Sequence, residues 1–206
     1  MADIAIKRKN RDTSGKRKII LEHAVQVFIK NGFASASMDE IAETSGVSKR
    51  TIYNHFQSKA NLFQAIVADF IADRDRKRPI EYSKDISLEE QLRDFAAAEL
   101  FLIDDPVRRG LSRLITSIFL MDLEFGEHIH GQYSPYQSLI QWLEAAKKHG
   151  QLDFLSSQLA ARVFYGLVEG CITWSAMLSD GASLQGVDQI LDELIEVFLS
   201  RYRKVR

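Results

Sequence analysis

A single cysteine, three prolines and no long apolar run set the first limits on this chain of 206 residues. Cys171 stands alone, so neither an intramolecular disulfide framework nor a cysteine-based zinc finger can form, and a reducing cytoplasm is the compartment that fits. Proline is scarce and glycine modest, and no long Ser/Gly/Pro-rich segment marks a disordered linker. No internal repeat is present. A signal peptide is not expected: Lys7, Arg8, Lys9, Arg11, Lys16, Arg17 and Lys18 crowd the first eighteen residues, with no apolar run behind the first charges. A membrane span is not expected either. Asp122, Arg162, Glu169 and Asp180 interrupt the most apolar stretches before any reaches the roughly 20 residues a spanning helix needs. No Ser/His/Asp spacing, phosphate-cradling glycine loop or pair of carboxylates stands out, so neither an enzyme nor a cofactor is expected.

What is present is a core and an uneven charge. Apolar residues make up 46% of the chain, enough for one large helical domain or a small one joined to a larger. The net charge of −1 hides an asymmetry. Residues 1–60 hold 11 Lys/Arg against 6 Asp/Glu, while residues 61–206 hold 16 against 22. The basic balance lies where a nucleic acid could use it.

Almost every segment has helical period, which predicts an all-α chain of nine or so helices. The first runs from about Lys16 to Asn31, with Ile20, Ala24, Val27 and Phe28 inward and Gly32 as its stop. A second follows Ser37, which with Glu40 has the spacing of a capping box. A third follows Ser48. A fourth runs from near Ser58 to about Arg78, ended by Pro79, with 79–86 as connector. Ser87 and Glu90 repeat the capping-box spacing before a helix to about Ile103. Asp105-Pro106 reads as cap and N1 proline of a helix to about Leu123. Further helices are expected over Pro135–His149, Ser157–Leu178 and Leu184–Arg203.

The segment Ser37 to Phe56 has the pattern of a helix-turn-helix. Such a unit needs two short helices in close contact, a tight turn, and an exposed second helix. Ile41, Val47 and Ile52 are placed to fill its small core, and Ala42 is small where the helices approach. Gly46 sits where the turn wants positive φ. Ser48 can cap the second helix. Lys49, Arg50, Thr51, Tyr53, Asn54 and His55 are then polar or amphipathic and face outward. Double-stranded DNA is the expected partner.

Residues 14–74 resemble the DNA-binding domain of TetR/AcrR-type transcriptional regulators. The resemblance rests on Ile19-Ile-Leu-Glu-His-Ala before Phe28, Asn31-Gly-Phe, Ser37-Met-Asp-Glu-Ile-Ala, Gly46-Val-Ser, Thr51-Ile-Tyr-Asn-His-Phe and Ser58-Lys. It implies an N-terminal three-helix helix-turn-helix domain over residues 14–74, and a helical ligand-binding and dimerisation domain over 75–206. It further implies a homodimer that binds a near-palindromic operator, usually as a repressor, and a small-molecule ligand that moves the fourth helix and releases DNA. Lys49, Arg50 and Thr51 open the recognition helix as candidates for base-edge contact, where an arginine bridging a guanine discriminates by about 1–3 kcal/mol. Tyr53, His55 and Lys59 are better placed for phosphates, and Lys59 adds its charge to the positive end of the fourth helix. Ser37 and Ser48 complete the set, and Asn54 suits either role. The basic arm before Lys16 is a candidate to track the duplex or enter a minor groove.

Beyond residue 75 two tasks are expected. Ala160, Phe164, Leu167, Cys171, Trp174 and Leu178 are spaced as one stripe, with Gly166 and Gly170 allowing close approach. Val187, Ile190, Leu191, Leu194, Ile195, Phe198 and Leu199 give the last helix a broad apolar face. Together they are expected to make a four-helix dimer interface. Phe95, Phe101, Phe119, Met121, Trp142, Phe164 and Trp174 are the large apolar side chains available to a ligand pocket, though packing competes for each. Glu169 could orient a polar or cationic ligand. Glu124, Glu127, His128 and His130 invite a metal reading, but Gly126 and Gly131 break regular helix and a full ligand set is not evident, so no metal is expected. The alternative to a ligand-responsive regulator is a ligand-independent DNA-binding protein with a structural or chromosome-organising role.

Overall fold

The computed structural model describes residues 2–76, 81–122, 124, 136–179 and 186–204. Its helices are α1 (Ala2–Ser35), α2 (Met38–Ser45), α3 (Lys49–Phe56), α4 (Lys59–Arg76), α5 (Leu88–Leu100), α6 (Pro106–Met121) and α7 (Gln137–Lys148). Then come α8 (Ser157–Val168), a π-helical turn (Glu169–Thr173), α9 (Trp174–Leu178) and α10 (Val187–Tyr202). Among the described residues the only extended pairing is one isolated bridge, Leu152 to Arg203. The architecture is all-α, as the periodicity predicts.

Contacts divide the chain into two compact units, Met1–Ile71 with Arg113–Gly126, and Ala72–Ser112 with Glu127–Arg206. Both α4 and α6 therefore contribute residues to each unit.

In the first unit, Ile20, Ala24, Val27 and Phe28 are all buried, the stripe the spacing predicts. Phe28 meets Phe63 edge-on at 5.5 Å, and Phe33 lies 5.2 Å from the same ring. Leu62, Ile66 and Val67 of α4 complete this core. α1 begins fourteen residues before the expected Lys16. Residues 2–14 hold no proline and many good helix formers, and Gly15 weakens a helix by only about 1 kcal/mol without stopping it. The break falls at Gly32, as expected, with φ 74° and ψ 163°.

The second unit packs α5, α7, α8, the π turn, α9 and α10 round one core. Phe95 and Trp142 meet edge-on at 5.8 Å, and Phe164 and Phe198 at 5.3 Å. Gln91, buried in α5, accepts the Trp142 indole N–H at 2.9 Å and donates to the carbonyls of Ser83 and Ile86. One amide thus fixes both a core tryptophan and the loop before α5. Asp105 caps α6, its Oδ1 accepting from the N–H groups of Val107 and Arg108 at 2.9 and 3.0 Å. Those bonds hold its carboxyl below the usual range. Gly150, at φ 72°, follows α7 as predicted.

The expected apolar stripes are distributed differently. Leu191, Leu194, Ile195, Phe198 and Leu199 of α10 are buried within their own chain, so its breadth is consumed by the core. Ala160 and Phe164 also point inward, whereas Cys171, Trp174 and Leu178 are exposed. The π turn explains the split. The Trp174 N–H bonds back five residues, to the Glu169 carbonyl, so one extra residue enters the turn and the later positions change face. The stripe left outside is Leu159, Val163, Gly166, Gly170, Trp174 and Leu178.

Candidate nucleic-acid interface

Each end of α2 and the start of α3 is fixed by a local bond. Ser37 Oγ accepts the Glu40 N–H at 3.1 Å. The Glu40 carboxylate does not close the box but accepts from Asn31 Nδ2 at 2.6 Å, tying α2 to α1. At the other end Gly46 adopts φ 65° and ψ 18°, the left-handed region that is cheap for glycine. The Val47 N–H then reaches the Ala42 carbonyl and the Gly46 N–H reaches that of Glu43, the two bonds of a Schellman ending. Ser48 Oγ accepts the Thr51 N–H at 3.2 Å and shares a 2.8 Å hydrogen bond with the Thr51 hydroxyl.

The result is a short second helix held by its underside. Ile41, Ile52 and Phe56 are buried, Val47 is half-buried, and the Arg17 guanidinium lies over the Phe56 ring at 5.5 Å. The opposite side of α3 presents Lys49, Arg50, Tyr53 and Asn54 to solvent, with Thr51 and His55 half-buried at its flanks. Eight residues make about 12 Å of helix, close to the width of a B-form major groove.

The exposed cations differ. Lys49 Nζ lies 2.7 and 2.8 Å from the two carboxylate oxygens of Asp39 on α2, and that hydrogen bond raises its pKa above the ordinary lysine value. Arg50 has no side-chain partner among the described residues. Lys59 is committed elsewhere. Its ammonium donates to the carbonyls of Ala34 at 2.9 Å and Ala36 at 3.0 Å, and lies 4.9 Å from the centre of the Phe33 ring. Between α3 and α4 the chain turns at Gln57, which takes φ 63° while Ser58 N–H bonds to the Phe56 carbonyl at 2.7 Å. Sequence reasoning missed Asp39, the positive φ of Gln57 and the partners of Lys59. Only the first had a signal, an acid in the first turn of α2 facing a basic α3.

The residues considered for a ligand pocket are dispersed. Phe95, Trp142 and Phe164 are fully buried in the core of the second unit. Phe119 belongs to the first unit, half-buried on α6. Trp174 is on the outer face of α9, and Glu169 is half-buried at the start of the π turn. Burial pushes the Glu169 carboxyl up, and Arg74 nearby opposes that shift. The Thr173 hydroxyl, one turn on, is buried and meets no hydrogen-bond partner among the described residues. An open groove of about 780 Å³ lies elsewhere, between α5 and α10, lined by Glu89, Arg93, Asp192 and Arg203 among others. Of the four residues in the metal reading only Glu124 is described; Glu127, His128 and His130 lie outside. Among the described residues no three His, Cys, Asp or Glu side chains cluster as a metal site.

Comparison with known proteins covers both halves of the chain. Residues 20–66 match the family described as bacterial regulatory proteins, tetR family. Residues 90–204 match the C-terminal domain of AefR-like transcriptional repressors. The chain is 28% identical over 203 residues to the HTH-type transcriptional regulator TtgR of Pseudomonas putida, covering 92% of this chain and 96% of that one. A TetR family transcriptional regulator from Pseudomonas syringae pv. tomato superposes with TM-score 0.75 at 26% identity, covering 91% and 96% of the two chains. The flavonoid-responsive regulator FrrA superposes with TM-score 0.73 at 27% identity, covering 94% and 100%.

Proposed function

Because the chain belongs to the TetR family of bacterial regulatory proteins, we propose that it is a cytoplasmic, dimeric repressor that leaves its operator when a small molecule binds. The observation that carries the DNA-binding part is the outward side of α3. Lys49, Arg50, Tyr53 and Asn54 stand clear of a helix whose underside is locked by Ile52 and Phe56. Arg50 and Lys49, with Thr51, read base edges; Tyr53, His55, Ser37 and Ser48 lie along the phosphates, Asn54 serves either surface, and Lys59 stands at the edge of this face. The working division is residues 14–74 for DNA and 75–206 for regulation and dimerisation.

Dimerisation is supported by the outer stripe of α8 and α9. Leu159, Trp174 and Leu178 are 57%, 44% and 83% exposed, and among the described residues nothing beyond the helix's own backbone lies within 4 Å of where a side chain on Gly166 or Gly170 would begin. A second copy packed there covers large apolar groups and uses the glycines for close approach. The effector part draws on the flavonoid-responsive regulator among the similar solved proteins. It also draws on the half-buried Glu169, whose raised pKa marks a costly site for an unmatched charge. Passage of α4 through both units offers the route from ligand to DNA.

A second reading, DNA binding without an effector, draws on the complete burial of Phe95, Trp142 and Phe164, since rings committed to packing cannot also line a cavity. Selection of genomic fragments by the full-length chain separates the regulator from a general DNA binder. The expected result is a small set sharing a near-palindrome, with half-sites spaced by about a helical turn or its multiples. Fragments recovered without a common sequence would overturn the regulator.

A further inference from the structure

We infer that Glu169 and Thr173, one turn apart beside the rings of Tyr136 and Tyr165, read a single hydroxyl group on an uncharged aromatic ligand. The inference rests on the effector reading above and names the chemistry of its ligand. All four residues, and Arg74 near them, belong to the second unit.

Positions 165, 169 and 173 are four apart, so α8 and the π turn hold them near one face. Tyr165 and Thr173 are 1% and 9% exposed, and Glu169 between them is half-buried. A threonine inside a helix can return its hydroxyl to the carbonyl four residues back. Thr173 does not. Its hydroxyl meets no partner among the described residues, while the Glu169 carbonyl receives the Trp174 N–H. A buried hydroxyl left unmet is costly, and calls for a partner from outside. The Glu169 carboxyl likewise has no hydrogen-bond or ion-pair partner among the described residues.

Side chains four apart on a helix start about 5–6 Å from each other. An oxygen midway between them can make two hydrogen bonds of about 2.7–2.8 Å. It must donate to the carboxylate and accept from the threonine. A hydroxyl does both, whereas an ether cannot donate and an ammonium cannot accept. The Tyr136 ring lies 5.2 Å from that of Tyr165, tilted by 37°, and offers an apolar wall to an aromatic body. Charge disfavours a cation. Burial, then the Glu169 charge, push the Tyr136 phenol up, while Arg162 and Arg74 oppose them; Arg74 acts on Glu169 as well. Two guanidinium groups thus share the field of one carboxyl.

The test is calorimetric titration of the full-length chain at neutral pH with three probes: β-naphthol, its methyl ether, and the naphthylmethylammonium cation. β-Naphthol is expected to bind at least about tenfold more tightly than either of the others, the worth of one buried hydrogen bond. Glu169→Leu and Thr173→Val should each weaken β-naphthol about tenfold and leave the ether unchanged, a split that mere loosening of the fold would not produce. If E169L does not fold, T173V alone decides. An ether as tight as the naphthol, a cation tighter than it, or folded variants that bind it like the wild type would each overturn the inference. So would a folded chain that binds none of the probes. Release of an enriched duplex separates this inference from the effector reading. Naphthol that binds as expected but releases no duplex supports the site and overturns the effector reading. Release that is indifferent to both substitutions keeps the effector reading and overturns the site.

Discussion

Lys49 and Arg50 are neighbours in sequence with opposite circumstances. Arg50 has no side-chain partner among the described residues, and its fork can meet two acceptors of one base. Replacing it by alanine should relax preference at particular operator positions while binding elsewhere persists, which a comparison of selected sequences for wild type and R50A would reveal. Lys49 must first leave Asp39. An exposed pair of this kind contributes little in water, so DNA can displace the carboxylate. The carboxylate nevertheless masks a positive charge on the reading face and disfavours indiscriminate phosphate binding. Asp39→Asn should therefore strengthen binding to random duplex and steepen its salt slope by about 0.9, as one more phosphate is neutralised. An unaltered slope in D39N would show that Asp39 does not compete with DNA.

At the scale of elements, the helix starts were legible because each is written within four residues. Ser37, Ser48, Ser87 and Asp105 all accept the N–H three positions on, as their spacing predicts. What joins one helix to another was not legible. Nothing near Lys59 in sequence announces Ala34, 25 residues away, or says that Glu40 will turn from its own cap to Asn31. The π turn was hidden for a different reason: one extra residue leaves composition and period almost unchanged. Ser48→Ala should cost about 1 kcal/mol, read from chemical denaturation, because the Thr51 N–H loses its acceptor at an already short helix. The Asp105 cap adds a dependence on pH. Its carboxyl titrates below the ordinary value when folded, so its contribution is complete above the unfolded pKa of about 3.9 and disappears as pH falls through the lower folded value. The gap in melting temperature between wild type and Asp105→Asn should thus be widest near neutrality and close at strongly acid pH.

For the whole molecule the open question is what covers the outer stripe of α8 and α9. Its apolar members were legible singly, but which faced outward depended on the turn between them. Burying a side chain such as leucine contributes about 1.5–3 kcal/mol, so Leu159, Trp174 and Leu178, taken from two copies, offer substantial association energy. Trp174→Glu should convert a dimer into monomers by sedimentation, and weaken operator binding through loss of the second half-site. A dimer that persists in this variant would place the interface elsewhere. The groove between α5 and α10 offers a poorer apolar surface, because Arg93 and Arg203 are already paired with Asp192 and Glu89 across it.

The π turn also makes this stripe vulnerable to an unusual kind of change. If Glu169–Thr173 relaxed into ordinary α register with all five residues retained, everything behind it would rotate by about 100°. Trp174 and Leu178 would swing away from Leu159 and Val163 with no side chain replaced. A residue deleted from α8 or α9 outside this five-residue segment would have the same effect, whereas one deleted within it would leave the stripe aligned.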